Sequence, residues 1–179
     1  MKLFILCSVI SLALSGRVCL PKSWILEWSF PDDSHIDFSL TLDSQTLSSY
    51  DWVGIGFKYI TDGDGMDKAD INNFFLTSIP VDSYALISAQ PCLDTYFGGT
   101  EDILNAVYDS TTLVYTWTRE IDSGDIYDKV YTEGCSMKLL WACGMVDAYG
   151  EQLMHLDDDK EMIDIILSAD YDYGCVTEF

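Results

Sequence analysis

The stretch His35-Ile-Asp-Phe-Ser-Leu-Thr-Leu42 decides the fold class. Ile36, Phe38, Leu40 and Leu42 fall on one side of an extended chain, and His35, Asp37, Ser39 and Thr41 on the other. Such alternation marks a strand with one face in a core and one in water. It also places His35 on the solvated face, away from any buried site. The same period runs through Trp24, Leu26, Trp28 and Phe30 upstream. Downstream, Val53, Ile55, Phe57 and Tyr59 alternate with Trp52, Gly54 and Gly56. Glycines inside a strand suggest close approach of another backbone or a ligand. Further strands are expected over 71–76, 83–89, 103–108, 112–119 and 137–143, whereas 160–167 reads equally as strand or short helix. Leu113, Tyr115, Trp117 and Arg119 share one face of the 112–119 strand, so Arg119 is expected to be partly buried beside an anionic partner. No helix of convincing length and no repeat is visible. The pattern predicts an all-β, antiparallel, immunoglobulin-like β-sandwich of about ten strands.

Residues 1–15 read as a secretory signal peptide. Lys2 supplies the positive start, Leu3 to Leu14 is apolar but for serines, and Ala13-Leu14-Ser15 is a small-x-small exit before Gly16. The run is shorter than the roughly 20 residues of a membrane span. No second long apolar segment follows, so residues 16–179 are expected to form a single secreted domain, extracellular or luminal, with no membrane span. The full chain has 30 acidic and 9 basic residues, a net charge of -21. Losing Lys2 makes it 30 against 8, or -22. A field of that sign repels phosphate backbones and anionic lipids and favours basic protein surfaces.

Cys7 leaves with the leader, and Cys19, Cys92, Cys135, Cys143 and Cys175 remain. In an oxidising compartment they predict two disulfides and one odd cysteine available to a disulfide-linked partner, with connectivity open. Without a Cys-x-x-Cys, covalent c-type haem attachment is excluded, and the spacings match no zinc module. Only His35 and His155 occur, and no Gly-x-Ser-x-Gly is present. Hydrolytic and copper-oxygenase chemistry are therefore unsupported, and the chain is expected to act without catalysing a reaction. The loop Thr61-Asp-Gly-Asp-Gly-Met-Asp-Lys-Ala-Asp70 offers two readings. It is either a solvated acidic turn or a calcium site using Asp62, Asp64 and Asp67, since hard carboxylate oxygens suit Ca²⁺.

Trp28-Ser-Phe30 with the Ile36 strand, then Trp52-Val-Gly-Ile-Gly-Phe57, then Met66-Asp-Lys-Ala-Asp-Ile71, resembles the first half of a DOMON domain. The order continues through Tyr115-Thr-Trp-Thr-Arg119, the acidic Asp122 to Asp128 turn, Leu140-Trp-Ala-Cys-Gly144 and His155. The resemblance covers roughly Trp24 to Asp158. It implies an extracellular β-sandwich used in redox proteins and sugar-binding modules. In the cytochrome branch a b-type haem has one Met and one His ligand, and Met66 and His155 sit at those two places. The resemblance thus implies a haem b electron-transfer module with Met66 and His155 as axial ligands, Arg119 as propionate partner, and a basic redox partner protein. Phe57, Tyr59, Phe74, Trp117, Trp141 and Leu153 are the expected pocket lining. The other reading is a cofactor-free module that binds carbohydrate or protein, in which aromatics stack on sugar rings and the acidic loops and odd cysteine carry the interaction.

Overall fold

Ile36, Phe38, Leu40 and Leu42 point inward as the alternation predicts, each no more than 3% exposed. The computed structural model describes residues 15–175, so the predicted signal peptide lies outside the described residues except for Ser15. In chain order the elements are β1 (Gly16–Leu20), β2 (Trp24–Ser29), β3 (His35–Thr41) and the short helix α1 (Ser44–Ser49). Then come β4 (Trp52–Tyr59), β5 (Ala69–Phe75), β6 (Val81–Ala85), β7 (Cys92–Leu93), β8 (Leu104–Asp109) and β9 (Val114–Glu120). The last are β10 (Ser136–Gly144), β11 (Lys160–Ile166) and β12 (Asp172–Tyr173). The ambiguous 160–167 segment is therefore a strand. Among the described residues twelve strands form rather than about ten; the additions are β1, directly after the predicted leader, and the two-residue β7 and β12, which are too short to show alternation.

Two six-stranded sheets pack face to face, ordered β12-β1-β2-β3-β9-β8 and β11-β10-β4-β5-β6-β7. Pairing is antiparallel throughout except between β1 and β12. The inward aromatics interlock across the gap. Phe38 stacks on Trp117 at 5.2 Å and meets Phe57 of the facing sheet at 5.3 Å. Trp24 meets Trp141 edge-on at 5.4 Å. Each such side chain contributes roughly 1.5–3 kcal/mol by leaving water. Asp43 caps α1 by accepting the Thr46 amide, and the Thr46 hydroxyl in turn accepts the buried Trp24 indole N–H at 2.7 Å.

Cysteine pairing departs from expectation. Cys19 and Cys175 form a disulfide across 156 positions, tying β1 to the segment after β12. Among the described residues Cys92, Cys135 and Cys143 are free, three thiols where one was expected. Cys135 immediately precedes β10 and Cys143 lies near its far end, eight positions on. At about 3.3 Å per residue that is roughly 26 Å, far beyond bonding distance. Cys143 is buried, and burial pushes its thiol up to about 12, so it is inert near neutral pH. Cys92 is the exposed one.

Candidate functional site

The glycines of β4 floor a cavity on the outer face of their sheet. Val53, Ile55 and Phe57 enter the sandwich core, which leaves Trp52, Gly54 and Gly56 facing outward. The register sets two rows across this face. One is Met162–Leu140–Gly56–Ile71 and the other is Lys160–Ala142–Gly54–Asn73. Small residues in the middle of both rows leave a hollow between taller neighbours. Loops around Gly65–Met66, Ser88–Pro91 and Gln152–His155 wall it, enclosing about 760 Å³ with mostly apolar lining. That volume lies in the ~300–1,000 Å³ range of small-molecule and cofactor sites. A Cβ at Gly56 would already stand 3.2 Å from Ile71 Cγ1, so glycine is what keeps the floor open.

Met66 and His155, far apart in sequence, both line this cavity. Met66 packs against Ala69, Ile71 and Ala85 at the start of β5. Its loop is held from below by Lys58, a fully buried lysine on β4. Lys58 Nζ donates to the carbonyls of Gly65 at 2.9 Å and Asp67 at 2.8 Å, the two residues flanking Met66. A lysine in a run of core residues gives no local signal of this role. The effect is to satisfy a buried ammonium and clamp a loop at once. Replacing Lys58 with methionine should free the 65–68 backbone, seen as faster amide exchange at Lys68 and Ala69. Any ligand held through Met66 should bind about 10–100-fold more weakly, the usual cost of losing a residue that orients a ligand.

The His155 segment is anchored to the same floor. Asn73 Nδ2 donates to Gln152 Oε1 at 2.8 Å, and the Trp52 indole donates to the Met145 carbonyl at 3.0 Å. The Leu153 amide then bonds the Met145 carbonyl at 2.9 Å. The His155 ring lies 6.5 Å from that of Trp52. Its Nδ1 is shut from solvent and has no hydrogen-bond partner. Burial, then the charge of Lys160, lowers the pKa of this imidazole. A neutral imidazole is the form that ligates a metal.

Several predicted residues lie elsewhere. Of the expected lining, Trp141 and Leu153 reach the cavity. Phe57, Phe74 and Trp117 are instead buried in the sandwich core, because period two sends them inward. Tyr59 packs its ring under Lys129. Arg119 is not a cavity residue either. It projects between the sheets at 1% exposure, its Nη1 3.0 Å from Asp82 and 3.4 Å from Asp70 and Asn72, its Nη2 2.6 Å from Asp128. A propionate cannot compete for a guanidinium enclosed this way. The cation that lines the cavity is Lys160, with Asp157 3.0 Å away.

The loop carboxylates Asp62, Asp64 and Asp67 do not gather around a common point. Asp62 faces Lys129 at 3.7 Å and Lys68 at 4.0 Å, Asp64 faces Lys138 at 3.2 Å, and Asp67 faces Lys58 at 3.9 Å. Separate lysines hold them apart, which fits the acidic-turn reading of this loop rather than the calcium one. Among the described residues, the carboxylates that converge are Asp70, Asp82 and Asp128, with ligand atoms within 4.8 Å of one another. Comparison with known proteins found no family model and no curated protein that matches the chain.

Proposed function

We propose that this chain is a secreted DOMON-like ligand-binding domain whose cavity takes b-type haem without a covalent link, and that it transfers electrons and catalyses no reaction. The observation that carries this reading is that Met66 and His155 line one largely apolar cavity, although 88 residues separate them in the chain. The donor set fits the group. A thioether and a neutral imidazole are the pair that binds low-spin iron. The glycine floor leaves room for a flat macrocycle, and Lys160 is the cation for a propionate. When bound, haem supplies a one-electron iron couple, and Met/His ligation raises its potential. The residues of the chain bind and orient it, keep water off the apolar rows, and hold His155 deprotonated. The acidic surface suits a basic redox partner protein. The leader sequence and the Cys19–Cys175 disulfide fit an oxidising compartment.

The test is a hemin titration of the mature chain followed by spectra of the oxidised and dithionite-reduced forms. A saturable Soret band with resolved α and β bands on reduction is expected. A chain that stays colourless with excess hemin overturns the haem reading. The cavity, with the exposed Met154 in its lining, would then belong to a cofactor-free carbohydrate- or protein-binding module.

A further inference from the structure

His155 sits in a stretch that packing does not hold. Leu153, Met154 and Leu156 around it are 47%, 86% and 71% exposed, so their burial contributes little to fixing the chain. Polar anchors do so instead. One lies before the histidine, the bond from Asn73 to Gln152. The other lies after it, at Asp159. Asp157 and Asp158 are exposed, whereas Asp159, the last of the three consecutive carboxylates, is turned inward at 8% exposure. Its Oδ1 accepts the Tyr50 hydroxyl at 2.8 Å and lies 2.8 Å from Lys22 Nζ. Lys22 also donates to the Tyr50 oxygen at 2.9 Å, which closes a triangle of short contacts. The Lys22–Asp159 hydrogen bond raises the pKa of the lysine and lowers that of the carboxyl, so both stay charged around neutral pH.

The triangle joins distant parts of the chain. Lys22 lies in the turn between β1 and β2, Tyr50 ends α1, and Asp159 leads into β11 of the opposite sheet. Lys22 and Ser23 have φ of 66° and 61°. Among the described residues they are the one adjacent pair of non-glycine residues with positive φ. Glycine or asparagine suits such a turn better. Neither could carry a positive charge to Asp159. Sparsely populated backbone conformations of this kind cluster at ligand clamps and active sites.

We infer that Lys22, Tyr50 and Asp159 form a positioning latch that sets His155 and Lys160 at the cavity. Asp159 stands four positions after His155 and one before Lys160. Its amide bonds the Leu156 carbonyl at 3.1 Å, so the short turn 157–159 carries the anchor to both neighbours. None of the three latch residues lines the cavity, so the latch acts through His155 and Lys160 rather than on a ligand directly. The inference rests on the reading of His155 as a ligand of the bound group, but the latch itself is measurable in the ligand-free chain.

Two rates in the ligand-free mature chain test it: amide exchange over residues 153–158, and modification of His155 by diethyl pyrocarbonate relative to His35. Lys22→Met and Asp159→Asn should each speed both rates about tenfold or more, as the loss of a charged hydrogen bond implies. Tyr50→Phe, which keeps the ion pair, should speed them less. The double variant of Lys22 and Asp159 should be no faster than either single one, because both remove the same contact. Asp158→Asn removes an equal charge one position away and should leave the rates unchanged. In the hemin titration, Lys22→Met should weaken capture about tenfold, as loss of a residue that orients a ligand does. A wild type that takes up no hemin overturns the haem reading and leaves the latch to the two rates. The latch is overturned if Lys22→Met and Asp159→Asn keep wild-type rates, if Asp158→Asn raises them equally, or if the two latch substitutions multiply as independent changes.

Discussion

Replacing Arg119 with leucine is expected to leave the chain barely folded at neutral pH. The substitution fills much of the same space, so packing is not what fails. What fails is charge compensation, because Asp70, Asp82 and Asp128 all lose their partner at once in a region closed to water. Breaking a buried ion pair from one side costs about 3–5 kcal/mol. A domain of this size has roughly 5–15 kcal/mol in total. Urea unfolding measures the loss directly. The pH dependence gives a second check. Burial raises these carboxyls above their ordinary value of 3.8, with Asp82 at about 9. Their protonated form is favoured by the folded state, so stability is gained as pH falls from about 9 towards 4 and lost as it rises. The leucine variant should therefore recover stability on acidification more steeply than the wild type. A variant as stable as wild type at pH 8 would mean that the guanidinium is not what holds the carboxylates.

Replacing His155 with alanine should abolish haem capture and spare the fold. The ring makes no hydrogen bond through its buried Nδ1, and its segment is tethered by Gln152 and Leu153, not by the imidazole itself. Circular dichroism and melting temperature should stay close to wild type while the Soret band on hemin addition disappears. Met66→Ala, by contrast, should still take up haem through His155. Its reduced spectrum should lose the sharp low-spin bands, and its potential should drop without the thioether. An alanine variant at 155 that binds hemin as tightly as wild type would remove His155 from the ligand set.

The inward faces were legible because alternation is local. The 35–42 strand and the Val53, Ile55, Phe57 face read correctly from period two alone. The outward face of β4 was half legible. Its glycines announced a close approach, but nothing in the string said that three loops roof them over. The cavity lining was misassigned for the same reason, since aromatics were credited to a pocket when their parity already committed them to the core. Arg119 was placed on the right face, and its partners are acidic side chains of the chain itself, not the propionate that the resemblance implies. Its three carboxylates come from β5, β6 and the 122–128 turn, and only the sandwich brings them together. The 61–70 loop shows the opposite relation, because its carboxylates, dense along the chain, are pulled apart in space by Lys58, Lys68, Lys129 and Lys138, as an acidic turn allows. Lys58 was invisible because its partners are backbone carbonyls, which have no sequence signature.

The shape of the sheet borders bears on how this molecule meets other chains. A long flat border strand is an open template for another polypeptide, and natural sandwiches blunt such borders. Among the described residues the two sheets have four borders, and two of them, β7 and β12, are only two residues long. A third, β8, breaks register between Leu104 and Val107. That leaves β11 as the one full-length border, seven residues carrying Lys160, Glu161 and Asp164. Those charges discourage indiscriminate stacking of copies while keeping a run of backbone donors and acceptors on offer. Because Lys160, Glu161 and Met162 also line the cavity, a strand added along β11 would lie beside whatever the cavity holds. The one long border of the sandwich and the mouth of its cavity therefore share a side of the molecule.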